Sequence, residues 1–577
     1  MTGRDRLVIV TLVGLLLAVT TAIGAPAFQT APSASSSASP GALKGYREGI
    51  LGHPNQINPL TATTQADRDL VALIFSGLTR LGPDGTILPD LAERWSVDDK
   101  GLSYTFTLRS DATWQDGEPL TSADVLFTIE TLQNPAYQGA AAASWAEVHI
   151  TAVDSRTVRF TLATPVAGFL TATTQPLLPL HLLGGVPPSA LSANPFSQQP
   201  IGSGPFRLVS WDPLQADLVP TARAAAPGGS SAPPGNPGAS PSVGNPAPGA
   251  SPSPRRVVPY LPSIQLRFYT DPAALAEAYR AGGLDAAVGL PPAMARDLGA
   301  LPGSRLVRYP RSTLTGIVLN LRVSHRELRD SRARVALLQA IDRAGMIDDV
   351  LAGNGTRADS LIPPTSWAFD PSASAPIQYD LKAAAAGLKA AGWKQVKGRW
   401  VAPGGSAAYR LQLVAPEQAS NPIAWAAAQR VAADWRRFGL TVDLVGLSPA
   451  VLIGQRLQPG QFTSAAIDIN VGLDPDLYPF LASTQATTTG SNVSGIQQPA
   501  LDKLLEAARQ PGTVDGRKAA FRALESELAK NQYVLPLFFR DEVVALSDRV
   551  QGPTPRQLGD PADRYWDVLT WRLASGR

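Results

Sequence analysis

The chain contains no cysteine. That excludes disulfides, thiolate metal sites and a cysteine nucleophile. Histidine is scarce: the four present (His53, His149, His181 and His325) are far apart, and none has a ligand-like neighbour at helical spacing. Zinc-protease, phosphate-loop, calcium-loop and dinucleotide fingerprints are absent, so no metal and no cofactor is expected. Gly202-Ser203-Gly204 reads as a turn that needs glycine dihedrals, not as a nucleophile elbow. An excess of charge is missing as well. The 50 basic and 47 acidic residues are spread along the chain and leave a net charge of +3. With no basic stripe, nucleic acid is not an expected partner.

What is present is a globular composition, 44% apolar and 17% charged, over 577 residues. That length is too great for one hydrophobic core and calls for two or three lobes. Residues 1–27 read as a signal peptide or N-terminal membrane anchor. Arg4 and Arg6 form the positive end, residues 7–23 are apolar, and Ala25-Pro26-Ala27 offers small residues for cleavage. The uncharged run is also close to the roughly 20 residues a spanning helix needs, so retention by an uncleaved helix stays open. Either way the body lies outside the cytoplasm. Residues 28–42 are a Ser/Ala/Pro linker, and residues 222–256 a low-complexity Pro/Gly/Ser/Ala insertion expected to be disordered.

Between these stretches the pattern alternates between strand and helix, which points to an α/β fold. Tyr104, Phe106 and Leu108 share one face at a period of two, as a half-buried strand requires. Residues 147–153 and 157–162 read as a hairpin around Asp154-Ser155. Helices are expected over 67–78, 88–95, 330–343, 425–438, 501–508 and 517–532, another begins at Tyr379-Asp380, and Thr121 and Asp271 are candidate caps. A continuous apolar strand is expected over 533–539.

Three motifs stand in order: GLTRLGPDGTILPDLAERWSV (77–97), GLSYTFTLRSDATWQDGEPLTSADVLFTIE (101–130) and IGSGPFRLVSWDP (201–213). DSRARVALLQAIDR (330–343) and the segment starting at Tyr379-Asp380 follow. In wording and order the chain resembles the extracellular solute-binding proteins of family 5, the oligopeptide-, dipeptide- and nickel-binding subunits of ABC importers. The resemblance implies an exported, non-enzymatic, monomeric α/β protein of the two-lobed periplasmic-binding type, with discontinuous lobes joined by a hinge. Lobe I would comprise 43–305 with 535–577, including an extra subdomain over about 76–167, and lobe II 306–534. Arg311, Gly316, Val534 and Phe539 would lie at the hinge. The partners implied are a peptide or other small solute and the permease subunits in the membrane. A lipid-anchored cysteine, which many such proteins carry, is excluded here.

The resemblance also suggests where the solute sits. His53 and Asn55 lie on the loop that leaves the first strand beside the ligand. Trp367 lies on a loop that borders the cleft. IDINVGLDPDLYPFLAST (467–484) matches the stretch that passes under the ligand, which makes Asp468, Asn470, Val471 and Asp474 candidates. In peptide binders the position of Val471 is acidic and pairs with the peptide's ammonium, and that of Asp468 is commonly tryptophan. Asp468 or His53 could replace the lost amine partner, or the solute could be something other than a peptide. A hydrolase built on Asp474 and Asp476 would need a second carboxylate or a nucleophile across the cleft, which the sequence does not show.

Overall fold

The computed structural model describes residues 45–221 and 259–574, apart from positions 84, 138, 140, 374 and 511. The expectations for residues 1–27, the 28–42 linker and the 222–256 insertion lie outside the described residues. The chain enters the fold through β1 (Tyr46–Leu51). Thr64 then caps the helix Gln65–Ile74, and Asp67 returns the bond to the cap in a capping box. That box starts the helix two residues before Asp67, and the backbone turns extended at Phe75, short of the expected end at Leu78.

The helix expected over 88–95 is not formed. After β2 (Thr79–Leu81), this stretch supplies β3 (Ile87–Pro89) and most of β4 (Ala92–Val97). Trp95 lies opposite Phe106 of β5 (Ser103–Leu108), with the rings stacked at 6.0 Å. Cross-strand pairing of this kind overrides a helical spacing of leucines, because strand preference is set by the neighbouring strand. β6 (Val148–Asp154) and β7 (Thr157–Leu162) complete a four-stranded antiparallel sheet in the order β4-β5-β7-β6.

The main sheet has eleven strands. β8 (Phe206–Trp211), β9 (Gln215–Pro220), β10 (Ile264–Tyr269) and β11 (Ala286–Val288) lie on one side with β1. Two long strands run through its middle, β12 (Ser304–Leu319) and, near the chain's end, the strand Val534–Ser547. β13 (Gly355–Arg357) pairs with the latter, whereas β14 (Lys394–Val396) and β15 (Arg399–Val401) form a separate hairpin. β16 (Arg410–Pro416), β17 (Thr441–Leu447) and β18 (Ser464–Asn470) make the other side. With Val534–Ser547 as β19, the order is β17-β16-β18-β12-β19-β11-β1-β10-β9-β8.

Two large apolar clusters flank the long pair. One draws on residues 46–309 and 544–571, the other on residues 314–539. Residues 304–310 of β12 pair with 541–547 of β19 beside the first, and 314–318 pair with 534–539 beside the second. The fold is therefore two-lobed α/β, with both crossing strands shared. Among the described residues no helix is long and apolar enough to cross a membrane.

The segment expected as one helix over 330–343 is two. Ser331–Gln339 ends at Ala340, and Asp342 caps a new helix, Arg343–Leu351. Arg332 makes the expected helix-end pair with Asp330 at 2.6 Å. Arg334 does not: it is buried and donates to the carbonyls of Leu328, Arg329, Asn531 and Gln532. Arg343 is buried too, paired with Asp359 at 3.1 Å.

Candidate ligand cleft

Three elements carry the candidate residues. The first is the loop after β1. Asp67, fully buried at the helix N-terminus, accepts the N–H groups of Asn55 (2.7 Å), Gln56 (3.1 Å), Thr63 and Thr64 (2.9 Å each). One carboxylate thus ties both ends of the loop to the helix, leaving the side chains of His53 and Asn55 exposed.

The second element is the crossover. β12 and β19 lose register between Pro310 and Leu314 and again at Thr315/Gly316. Ser312 donates through Oγ to Asn470 Oδ1 at 2.7 Å, and Asn470 Nδ2 donates to the Gly559 carbonyl at 3.1 Å. Asp468 accepts from Thr315 Oγ1 (2.6 Å) and Asn421 Nδ2 (3.0 Å), and Arg540 stands 3.4 Å away. Arg311 lies 3.8 Å from Glu542. Val471 is in the lobe II core with 2% exposure, so that position offers a solute no polar contact.

The third element is the 473–478 turn. Asp474 takes two bonds from Arg517, at 2.6 and 3.0 Å. The Arg517 guanidinium lies 4.6 Å over the Trp367 ring, and Trp367 meets Phe521 edge-on at 5.4 Å. Asp476 pairs with Arg509 at 3.0 Å, and that guanidinium covers Tyr478 at 4.4 Å. Both acids are thus neutralised by bonded arginines, which removes the free carboxylate pair a hydrolase would use. Residues packed beside the turn meet the opposite lobe: the Ala167 N–H donates to the Arg509 carbonyl at 3.1 Å, and Thr365 Oγ1 donates to Gln557 at 3.0 Å.

A pocket of about 630 Å³ lies within the first lobe, lined only by residues of 59–205 and 556–569. Phe75, Arg80, Trp145, Gln175, Arg556 and Trp566 are among the residues that line it. Nothing in the sequence singled them out. Next to the pocket is a buried network in which Arg564 pairs with Glu48 and Asp69, each at 2.6 Å, and Tyr46 and Tyr565 donate to Glu48. That network ties the C-terminal segment to β1 and to the helix Gln65–Ile74. Arg556 Nη1 donates to the Gly82 carbonyl at 2.6 Å, with its guanidinium 5.1 Å over Trp566. No group of three or more metal-ligating side chains occurs among the described residues.

Two lobes sharing a pair of crossing strands, with charged side chains at the crossover and contacts across the mouth, define a binding protein of the two-lobed kind. The sequence profile of the bacterial extracellular solute-binding proteins, family 5, matches residues 86–492, and the chain belongs to that family. It is similar to protein XP55 of Streptomyces lividans, 29% identical over 518 residues, covering 89% of this chain and 86% of the relative. Similarity to the oligopeptide-binding protein AppA of Bacillus subtilis is 23% over 532 residues, covering 91% of each chain. The solved structure of that AppA with a nonapeptide superposes with a TM-score of 0.70 at 21% identity, covering 92% of this chain and 99% of the other. NikZ of Campylobacter jejuni, solved with Ni(L-His), also gives 0.70, at 22% identity and the same coverage.

Proposed function

We propose that this protein is the extracytoplasmic substrate-binding subunit of an ABC importer. It encloses a peptide or related small solute between its lobes and presents the closed form to a membrane permease. The observation that supports this reading is the fold: two lobes joined by a shared pair of long strands, with charged side chains at the crossover, within a family of solute-binding proteins. Lobe I is assigned to 43–305 with 535–577 and lobe II to 306–534. The hinge lies at Arg311, Gly316, Val534 and Phe539, where β12 and β19 break register or end. Solute touching both lobes would favour the closed state by its difference in affinity for the two forms. His53, Asn55, Asp468 and Asn470 are the candidate contacts, with Trp367 and Asp474 shaping the wall through Arg517. No catalytic residue is assigned, and the protein acts as a monomer.

The experiment is to purify residues 43–577, denature the protein gently and identify the released small molecules by mass spectrometry. A ladder of short peptides is the expected result. A single non-peptide compound would replace the peptide reading. Only buffer components, with no stabilisation by any peptide, would remove it.

A further inference from the structure

The pocket in the first lobe has a chemically unbalanced lining. All of its walls come from residues 59–205 and 556–569, so no residue of the second lobe lines it. Its volume of about 630 Å³ falls inside the roughly 300–1,000 Å³ usual for small-molecule sites. Val71, Phe75, Pro176, Trp566 and Val568 supply apolar surface. Around that surface stand four arginines, Arg68, Arg80, Arg109 and Arg556, against three aspartates, Asp90, Asp560 and Asp563.

Two of the arginines are matched. Arg68 lies 3.0 Å from Asp560, and Arg109 makes two bonds to Asp111, at 2.9 and 3.0 Å. Neither Arg80, which is exposed, nor Arg556, 7% exposed, forms an ion pair among the described residues. Arg556 donates to the Gly82 carbonyl at 2.6 Å and otherwise reaches the backbone carbonyl of Asp563, at 3.5 Å. Arg334, equally buried and also without a carboxylate, is satisfied by four carbonyl bonds. Burial holds the Arg556 guanidinium below its ordinary value; Asp563 and Asp567 oppose that, and Arg80 adds to it. Two cations that repel one another therefore face one pocket. An oxyanion bonded to both relieves the repulsion, and charge-assisted bonds to guanidinium are the strong kind.

We propose that this pocket is a second ligand site, separate from the solute cleft, that takes a small organic oxyanion: one carboxylate or phosphate on an apolar, ring-sized body. Arg80 and Arg556 meet the oxyanion, while Val71, Phe75 and the Trp566 ring enclose the body. The three aspartates repel further negative charge, which disfavours polyphosphates. This site goes beyond the transport reading and does not depend on it.

The test titrates the purified protein by isothermal calorimetry with 3-phenylpropionate, with phenyl phosphate, and with 3-phenylpropan-1-ol as the uncharged control. Wild type, R80Q and A72F are compared. Because Arg80 is exposed, R80Q removes a charge without touching the core, and A72F fills the pocket from the helix Gln65–Ile74. Wild type should bind at least one anion, with the alcohol weaker by about 10-fold or more, the loss expected for hydrogen bonds to a charged group. R80Q should weaken that anion by about 3- to 5-fold, as for an exposed charge pair, and leave the alcohol unchanged. A72F should abolish binding of both. The tighter of the two anions tells a carboxylate site from a phosphate site. Anion binding that is unchanged in R80Q and A72F would put the probe elsewhere and overturn the site. Equal affinity for anion and alcohol would overturn the oxyanion class, as would an R80Q variant that binds like wild type. No binding of either anion at millimolar concentration would overturn the proposal outright. Should A72F not fold, R80Q decides alone.

Discussion

Replacing Arg564 by methionine isolates the bond that holds the C-terminal segment against the rest of lobe I. Arg564 is 1% exposed and lies 2.6 Å from Glu48 Oε1 and from both oxygens of Asp69. Both carboxylates are themselves buried, at 1% and 0% exposure. Methionine fills most of the volume but leaves two buried acids facing one another without a counter-charge. Breaking a buried pair in this way costs about 3–5 kcal/mol. The Asp69 carboxyl is already raised by burial, with the Arg564 guanidinium opposing that rise. In the variant that opposition is lost, so Asp69 binds its proton more readily when folded than when unfolded. A raised acid contributes stability at low pH and loses it as pH rises through its folded pKa. The deficit of R564M should therefore be largest at pH 8 and shrink toward pH 5. The assay is urea unfolding followed by circular dichroism at both pH values, on wild type, R564M and R564M with Asp69→Asn. The second substitution should recover part of the loss at pH 8. A variant as stable as wild type at pH 8, or a deficit that grows on acidification, would refute the reasoning.

Further outcomes follow from other contacts. Glu525 is 2% exposed and pushed up to about 7 by burial, although Ser360 Oγ and the Asp370 N–H both donate to it. Its favourable contribution is complete below about pH 4.5 and is lost as pH rises to about 7. Glu525→Gln should flatten that slope and stabilise the protein at pH 8 by about 1–3 kcal/mol, read from melts across pH 5–8. Asp67→Ala removes the acceptor of four loop N–H groups, so it should cost about 2–4 kcal/mol and weaken solute retention. Asp474→Asn should destabilise by about 2–3 kcal/mol, because Arg517 is left 8% exposed with a weakened partner. Solute retention on gel filtration should weaken, since Arg517 and the Trp367 ring beneath it lose the carboxylate that positions them.

Sequence patterns reached the parts of this fold that depend on local chemistry. The cap at Thr121, the strand around Phe106 and the helix after Asp271 all form from residues within a few positions of one another. The 88–95 stretch failed for the opposite reason, because its strands are selected by β5 across the sheet. The site follows the same division. Asp468 and Asn470 stand out in the sequence, but Arg517, the partner of Asp474, lies 43 residues further on, and Glu48 lies 516 residues before Arg564. Such pairings leave no periodic trace.

The central claim is that solute is held between the lobes. Because the chain has no cysteine, Ala152→Cys and Ala419→Cys, both at exposed positions on different lobes, would carry the only labels. The interlobe distance between spin labels at these sites is measured on ligand-free protein before and after the solutes released from the purified protein are added back. A shift to a shorter, narrower distance distribution on binding is the predicted result. Solute retained on gel filtration with the distribution unchanged would contradict the account.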